Sequence, residues 1–135
     1  MEKTAKQIEK DVFHIIKNSE LKNIIGGEFY RAEMRPKNAM TEDVVVKFLT
    51  GIDGQEQSGI VLVHIYVPDI VMNDGESVEN ITRIDTIEQS LNTLIERITN
   101  NEYLFEKDGT PQSYPVEGME QHFINIRLHY RRITF

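Results

Sequence analysis

Four histidines, His14, His64, His122 and His129, have the widest chemical repertoire in this chain, because imidazole titrates near neutrality and ligates metals. Their spacing does not converge. His14 falls in a helical pattern and His64 in a strand pattern. His122 and His129 lie seven residues apart, with no His-x-His or His-Glu-x-x-His arrangement to gather ligands around one ion. The carboxylates Glu28, Glu33, Asp43 and Asp69 sit in or beside strand patterns, with no mutual spacing that forces one to keep its proton. Ser19, Ser58, Ser77, Ser90 and Ser113 lack the Gly-x-Ser-x-Gly turn that exposes a nucleophile. No glycine cluster follows a strand and opens a helix as a phosphate cradle requires. Without cysteine, thiolate chemistry and disulfides drop out. The expectation is a protein that is not an enzyme and has no catalytic, metal or cofactor site.

Surface logic is more informative than reactive groups. The chain has 135 residues, a common size for one domain over 1–135 with one core. Its formal net charge is -7, which argues against nonspecific affinity for phosphate backbones. The opening MEKTAKQIEKDVF carries charges where a signal peptide needs an apolar run, and no apolar stretch reaches the roughly 18 residues of a membrane span. A cytoplasmic protein without a membrane partner is expected. Yet the closing HFINIRLHYRRITF alternates apolar and basic residues.

The elements that position these residues follow from periodicity. Thr4 and Gln7 have capping-box spacing, and Ile8, Val12, Ile15 and Ile16 recur on one helical face, ending near Asn18. Gly26 and Gly27 lead into strands expected at Glu28 to Arg35, Asp43 to Thr50 and Gly59 to Val67, paired as an antiparallel meander. VMNDGESVEN, Val71 to Asn80, reads as a flexible acidic surface loop. Ile84, Ile87, Leu91, Leu94 and Ile98 then mark a long helix from Thr82 to Ile98, capped by Asn80 or Thr82. EYLF begins a possible strand, EKDGTPQSYPVEGME reads as a loop, and the last strand runs from His122 to Ile133. The fold class is α+β: a mainly antiparallel sheet of four or slightly more strands, with an N-terminal helix and one long helix on a sheet face.

Alternation in the last strand points Ile124, Ile126, Leu128 and Tyr130 to the core and Phe123, Asn125, Arg127, His129 and Arg131 outward. Three readings of that basic face compete. It is a charged edge strand protected against aggregation. It is a stacking sheet for single-stranded RNA, although the outward Leu62, His64 and Tyr66 supply few aromatics. Or it is an intersubunit contact, in which Arg31, Arg35, Arg127, Arg131 and Arg132, with His129, meet the acidic run Asp69, Asp74, Glu76 and Glu79 of a neighbour. Opposite patches on one chain suit a head-to-tail ring. A small ligand-binding α+β domain is the alternative to assembly.

Taken in order, the leading amphipathic helix, the strands, a long helix after an acidic loop and a late Glu-x-His-x-x-x-x-Arg strand, here Glu120, His122 and Arg127, resemble the tail terminator and tail completion proteins of long-tailed bacteriophages and prophages. The resemblance spans nearly the whole chain. It implies a structural protein without catalysis or cofactor, forming a ring, typically of six subunits, that caps the tail tube and docks the head. Its implied partners are itself, the tail-tube protein and the head-tail connector, with DNA passing through the pore as the one nucleic-acid contact. Its implied place is the cytoplasm during assembly and then the virion.

Overall fold

The computed structural model describes residues 1–98 and 100–133; Thr134 and Phe135, at the end of the closing basic stretch, lie outside the described residues. The first helix, α1, spans Ala5–Lys17. Its capping box is formed as the spacing implies: Thr4 Oγ1 accepts from the Gln7 amide, and Gln7 Oε1 accepts from the Thr4 amide at 2.8 Å. Ile8, Val12 and Ile16 are buried along one side, and Asn18 closes the helix on the His14 carbonyl. A 3₁₀ turn, Glu20–Asn23, follows and buries Leu21.

The next strand departs from expectation. β1 is only Phe29–Arg31, and it pairs parallel to β2, Val44–Ile52. The chain turns after Arg31: the Met34 amide bonds back to the Arg31 carbonyl, and Glu33 takes a left-handed φ of 69°. Arg31, Glu33 and Arg35 therefore do not lie along one strand. The segment up to Asp43 carries the chain back to start β2 in the same direction as β1.

β2 and β3, Glu56–Pro68, form the expected antiparallel pair, with a bulge between Phe48 and Thr50. Gly59 faces that bulge, where a Cβ would sit 2.1 Å from the Thr50 carbonyl oxygen, so no larger residue fits. Val71 to Asn80 is not an irregular loop. It contains most of a two-stranded ribbon, β4 at Ile70–Val71 and β5 at Ser77–Val78, closed by the Met72 amide on the Glu76 carbonyl and by Gly75 at positive φ. Helix α2 spans Ile81–Arg97 with Asn80 as its cap, and buries Ile84, Ile87, Leu91, Leu94 and Ile95.

Two more strands follow, one where EYLF was expected to begin a strand and one inside the segment expected as a loop. β6, Tyr103–Lys107, and β7, Gln112–Pro115, both pair antiparallel with β8, Gln121–Ile133. The main sheet has the order β1-β2-β3-β8-β6, with β7 also on β8, so it has six strands and β8 is interior rather than an edge. Gly109, at positive φ, and Pro111 confine the break to a short turn between β6 and β7. Both helices share one core with the inner sheet rows, Val44 and Val46, Val61 to Val67, and Ile124 to Tyr130. The architecture is α+β, a mostly antiparallel sheet with helices on one face.

Candidate interaction surface

With both helices on one face, the other is left without a covering helix among the described residues. Register fixes its occupants: Val45, Lys47 and Thr50 from β2, with Leu49 exposed in the bulge, Ile60 to Tyr66 in alternation from β3, and Phe123 to Arg131 in alternation from β8. Leu104 and Glu106 of β6 stand opposite Arg131 and His129, and Gln112 and Tyr114 of β7 opposite Asn125 and Phe123. One end is aromatic. Phe123 has ring centroids at 4.6 Å from His64, 5.8 Å from Tyr66 and 5.7 Å from Tyr114. Burial, together with the charge of Lys47, pushes the His64 pKa down against the opposing contact from Asn125, which keeps this ring neutral at pH 7.

The candidate basic residues divide sharply. Arg35 belongs to the interior: its Nε donates to Asp43 at 2.9 Å, and its Nη2 reaches the carbonyls of Ala39 and Thr41 and Oε1 of Gln121. Its guanidinium also stacks 3.9 Å from the Tyr66 ring centre. Asp43 is fully buried. Burial alone would push its carboxyl up, but the Glu28 amide, the Thr41 hydroxyl and Arg35 together hold it below the ordinary carboxylate range. Arg31 is likewise turned to α1, donating to Glu9 and to the Lys6 carbonyl. Arg132 is buried on the helix side of β8, bound to Glu102, Gln57 and the Met1 carbonyl. These three arginines are engaged with groups of their own chain.

Arg127, His129 and Arg131 do occupy the outer face. Each stands beside a carboxylate of its own chain: Arg127 Nε is 3.0 Å from Asp108, His129 Nδ1 3.4 Å from Glu106, and Arg131 makes two 3.0 Å bonds to Glu56. The hydrogen bonds from Arg131 hold the Glu56 carboxyl below its ordinary range. Such solvent-screened surface pairs contribute little to stability and exchange partners readily. Lys47 makes no ion pair among the described residues.

Of the acidic candidates, Asp74 accepts from the Glu76 amide at 3.0 Å and fixes the ribbon turn, while Glu79 lies at the ribbon's root. There Ser113 donates to Glu79 at 2.6 Å, His122 Nδ1 lies 2.7 Å from Asp69, and its Nε2 lies 3.9 Å from Glu79. Sequence spacing missed this cluster because its members come from four separate segments. Its hydroxyl is directed to Glu79 and not to the imidazole, so it works as a clasp between ribbon, β7 and β8. Among the described residues no group of three or more histidines and carboxylates is arranged to hold a metal ion, and no helix is long and apolar enough to cross a membrane.

An open groove of about 1000 Å³ lies elsewhere, between the end of α1, the 3₁₀ turn and the end of α2. Ile15, Ile24 and Leu94 form its floor, and His14, Asn18 and Arg97 stand among its polar groups. No protein-family model matches this chain, and no curated protein matches it in sequence.

Proposed function

We propose that the chain is a structural assembly subunit of the phage tail terminator kind, which forms a ring, closes the tail tube and joins tail to head. The observation that carries this reading is the uncovered outer sheet face. It is aromatic at one end and carries exposed apolar residues and exchangeable ion pairs over the rest, a composition suited to contact with another protein surface. The element order that resembles terminators supports it as well. On this reading the subunit works in the cytoplasm during assembly and ends in the virion. Its partners are copies of itself, the tail tube and the head connector, and DNA passes through the pore without sequence recognition.

Light scattering across a concentration series tests the proposal. The expected outcome is a mass that rises from 15.7 kDa to a plateau at a fixed multiple, with closed rings in electron micrographs; a monomer at every concentration would sink it. The groove at the helix ends favours a second reading, a small-molecule-binding domain. That reading expects a monomer whose melting temperature rises with a ligand, a rise that is lost when the exposed Thr93 lining the groove is replaced by Trp.

A further inference from the structure

Two surfaces of opposite character lack a partner among the described residues. The ribbon Ile70–Val78 forms a sheet of its own, pairing only β4 with β5. It turns Ile70, Val71, Met72 and Val78 to solvent, with Val71 68% and Met72 50% exposed. Natural exposed strands are usually blunted with charge against unwanted pairing, whereas here the charge is concentrated at the tip, in Asp74 and Glu76. The clasp of His122, Asp69, Glu79 and Ser113 fixes the root, so the ribbon leaves the body in a defined direction. On the outer sheet face, Lys47, which has no ion pair among the described residues, lies directly opposite Leu62 and two residues from the exposed Leu49.

We propose that the ribbon of one copy lies across the outer sheet face of the next, with its apolar side chains on Leu49 and Leu62 and Asp74 or Glu76 on Lys47. Charge complementarity selects a second copy. The tip is acidic, and the face it would cover offers, between two apolar residues, an ammonium without a counterion among the described residues. Ribbon and face are different surfaces, so the contact is heterologous and repeats head to tail, closing a ring when the rotation permits. This rests on the assembly reading above and names its contact.

The absence of cysteine makes the test clean. Met72→Cys and Leu62→Cys are introduced together and singly, and each protein is oxidised at a concentration where light scattering reports association. The double variant should give a covalent ladder of dimers, trimers and higher species, while either single variant stops at a dimer. Assembly without a ladder, or a disulfide confined to the monomer band, would overturn the ribbon contact and leave the assembly reading standing. Monomer mass throughout would overturn both. As a second readout, Val71→Asp should weaken association at least tenfold without lowering the melting temperature of the dilute protein; unchanged association would also overturn the contact.

Discussion

Arg35 shows how a residue type can mislead about its role. In sequence it alternates with Arg31 and reads as one of a row of outward cations. Its partners are eight residues on at Asp43 and 86 residues on at Gln121, separations that no local pattern encodes. Burial decides its energetics: with Asp43 fully buried, removing the guanidinium leaves a carboxylate without its counterion inside the protein. Arg35→Ala should therefore cost about 3–5 kcal/mol, measured by urea unfolding, against a change within about 0.5 kcal/mol for Arg127→Ala on the surface. The pH dependence has a definite sign. The Asp43 pKa is lowered on folding from its ordinary 3.8, so its contribution is complete above that value and is lost as pH falls through the folded pKa. Wild type should lose stability more steeply than Asp43→Asn as the pH drops below about 4.

At the scale of elements, the strongly periodic segments were legible and the short ones were not. The helix expected at Thr82 to Ile98 is α2 at Ile81–Arg97, because five apolar residues at helical spacing admit one buried face. β6 was legible only as a possible strand beginning at EYLF, β7 was not legible at all, and neither pairing with β8 was read, because each is five residues or fewer and they flank a Gly- and Pro-containing turn. Missing them changes the meaning of β8: with β3 on one side and β6 and β7 on the other, its backbone is paired along both edges, so its basic residues are not edge protection. The parallel pairing of β1 was illegible for a different reason, since it depends on the turn organised by Arg35. The helix supplies the test at this scale. Leu91 is buried against the shared core, and Leu91→Ala should cost about 2–5 kcal/mol through lost burial and an incompletely collapsed cavity, seen as a lower urea midpoint with an unchanged slope.

For the whole molecule, the sheet divides the chain into a side that makes the fold and a side available to others. The sequence disclosed the outward row of β8 through its alternation, but not that Arg127, His129 and Arg131 each have a carboxylate of the same chain beside them, because Glu56, Glu106 and Asp108 are brought in by other strands and turns. That pairing changes what charge can contribute to assembly. A free basic strip would attract an acidic neighbour strongly and lose that attraction steeply with salt. Paired and half-exposed arginines gain only the difference between one carboxylate and another, screened beyond about 8 Å at physiological ionic strength. Association carried mainly by apolar area, with charge setting orientation, should therefore weaken only modestly between low and high salt. Arg127→Glu and Arg131→Glu are a different case, because each places like charges beside Asp108 or Glu56 and beside any acidic group of the neighbour. Each should leave the dilute monomer's melting temperature nearly unchanged while shifting the concentration midpoint of association upward by roughly tenfold or more, equivalent to about 1.4 kcal/mol. Sedimentation of both variants and the wild type over the same concentration range measures this; equal midpoints would place the contact away from the basic half of the sheet.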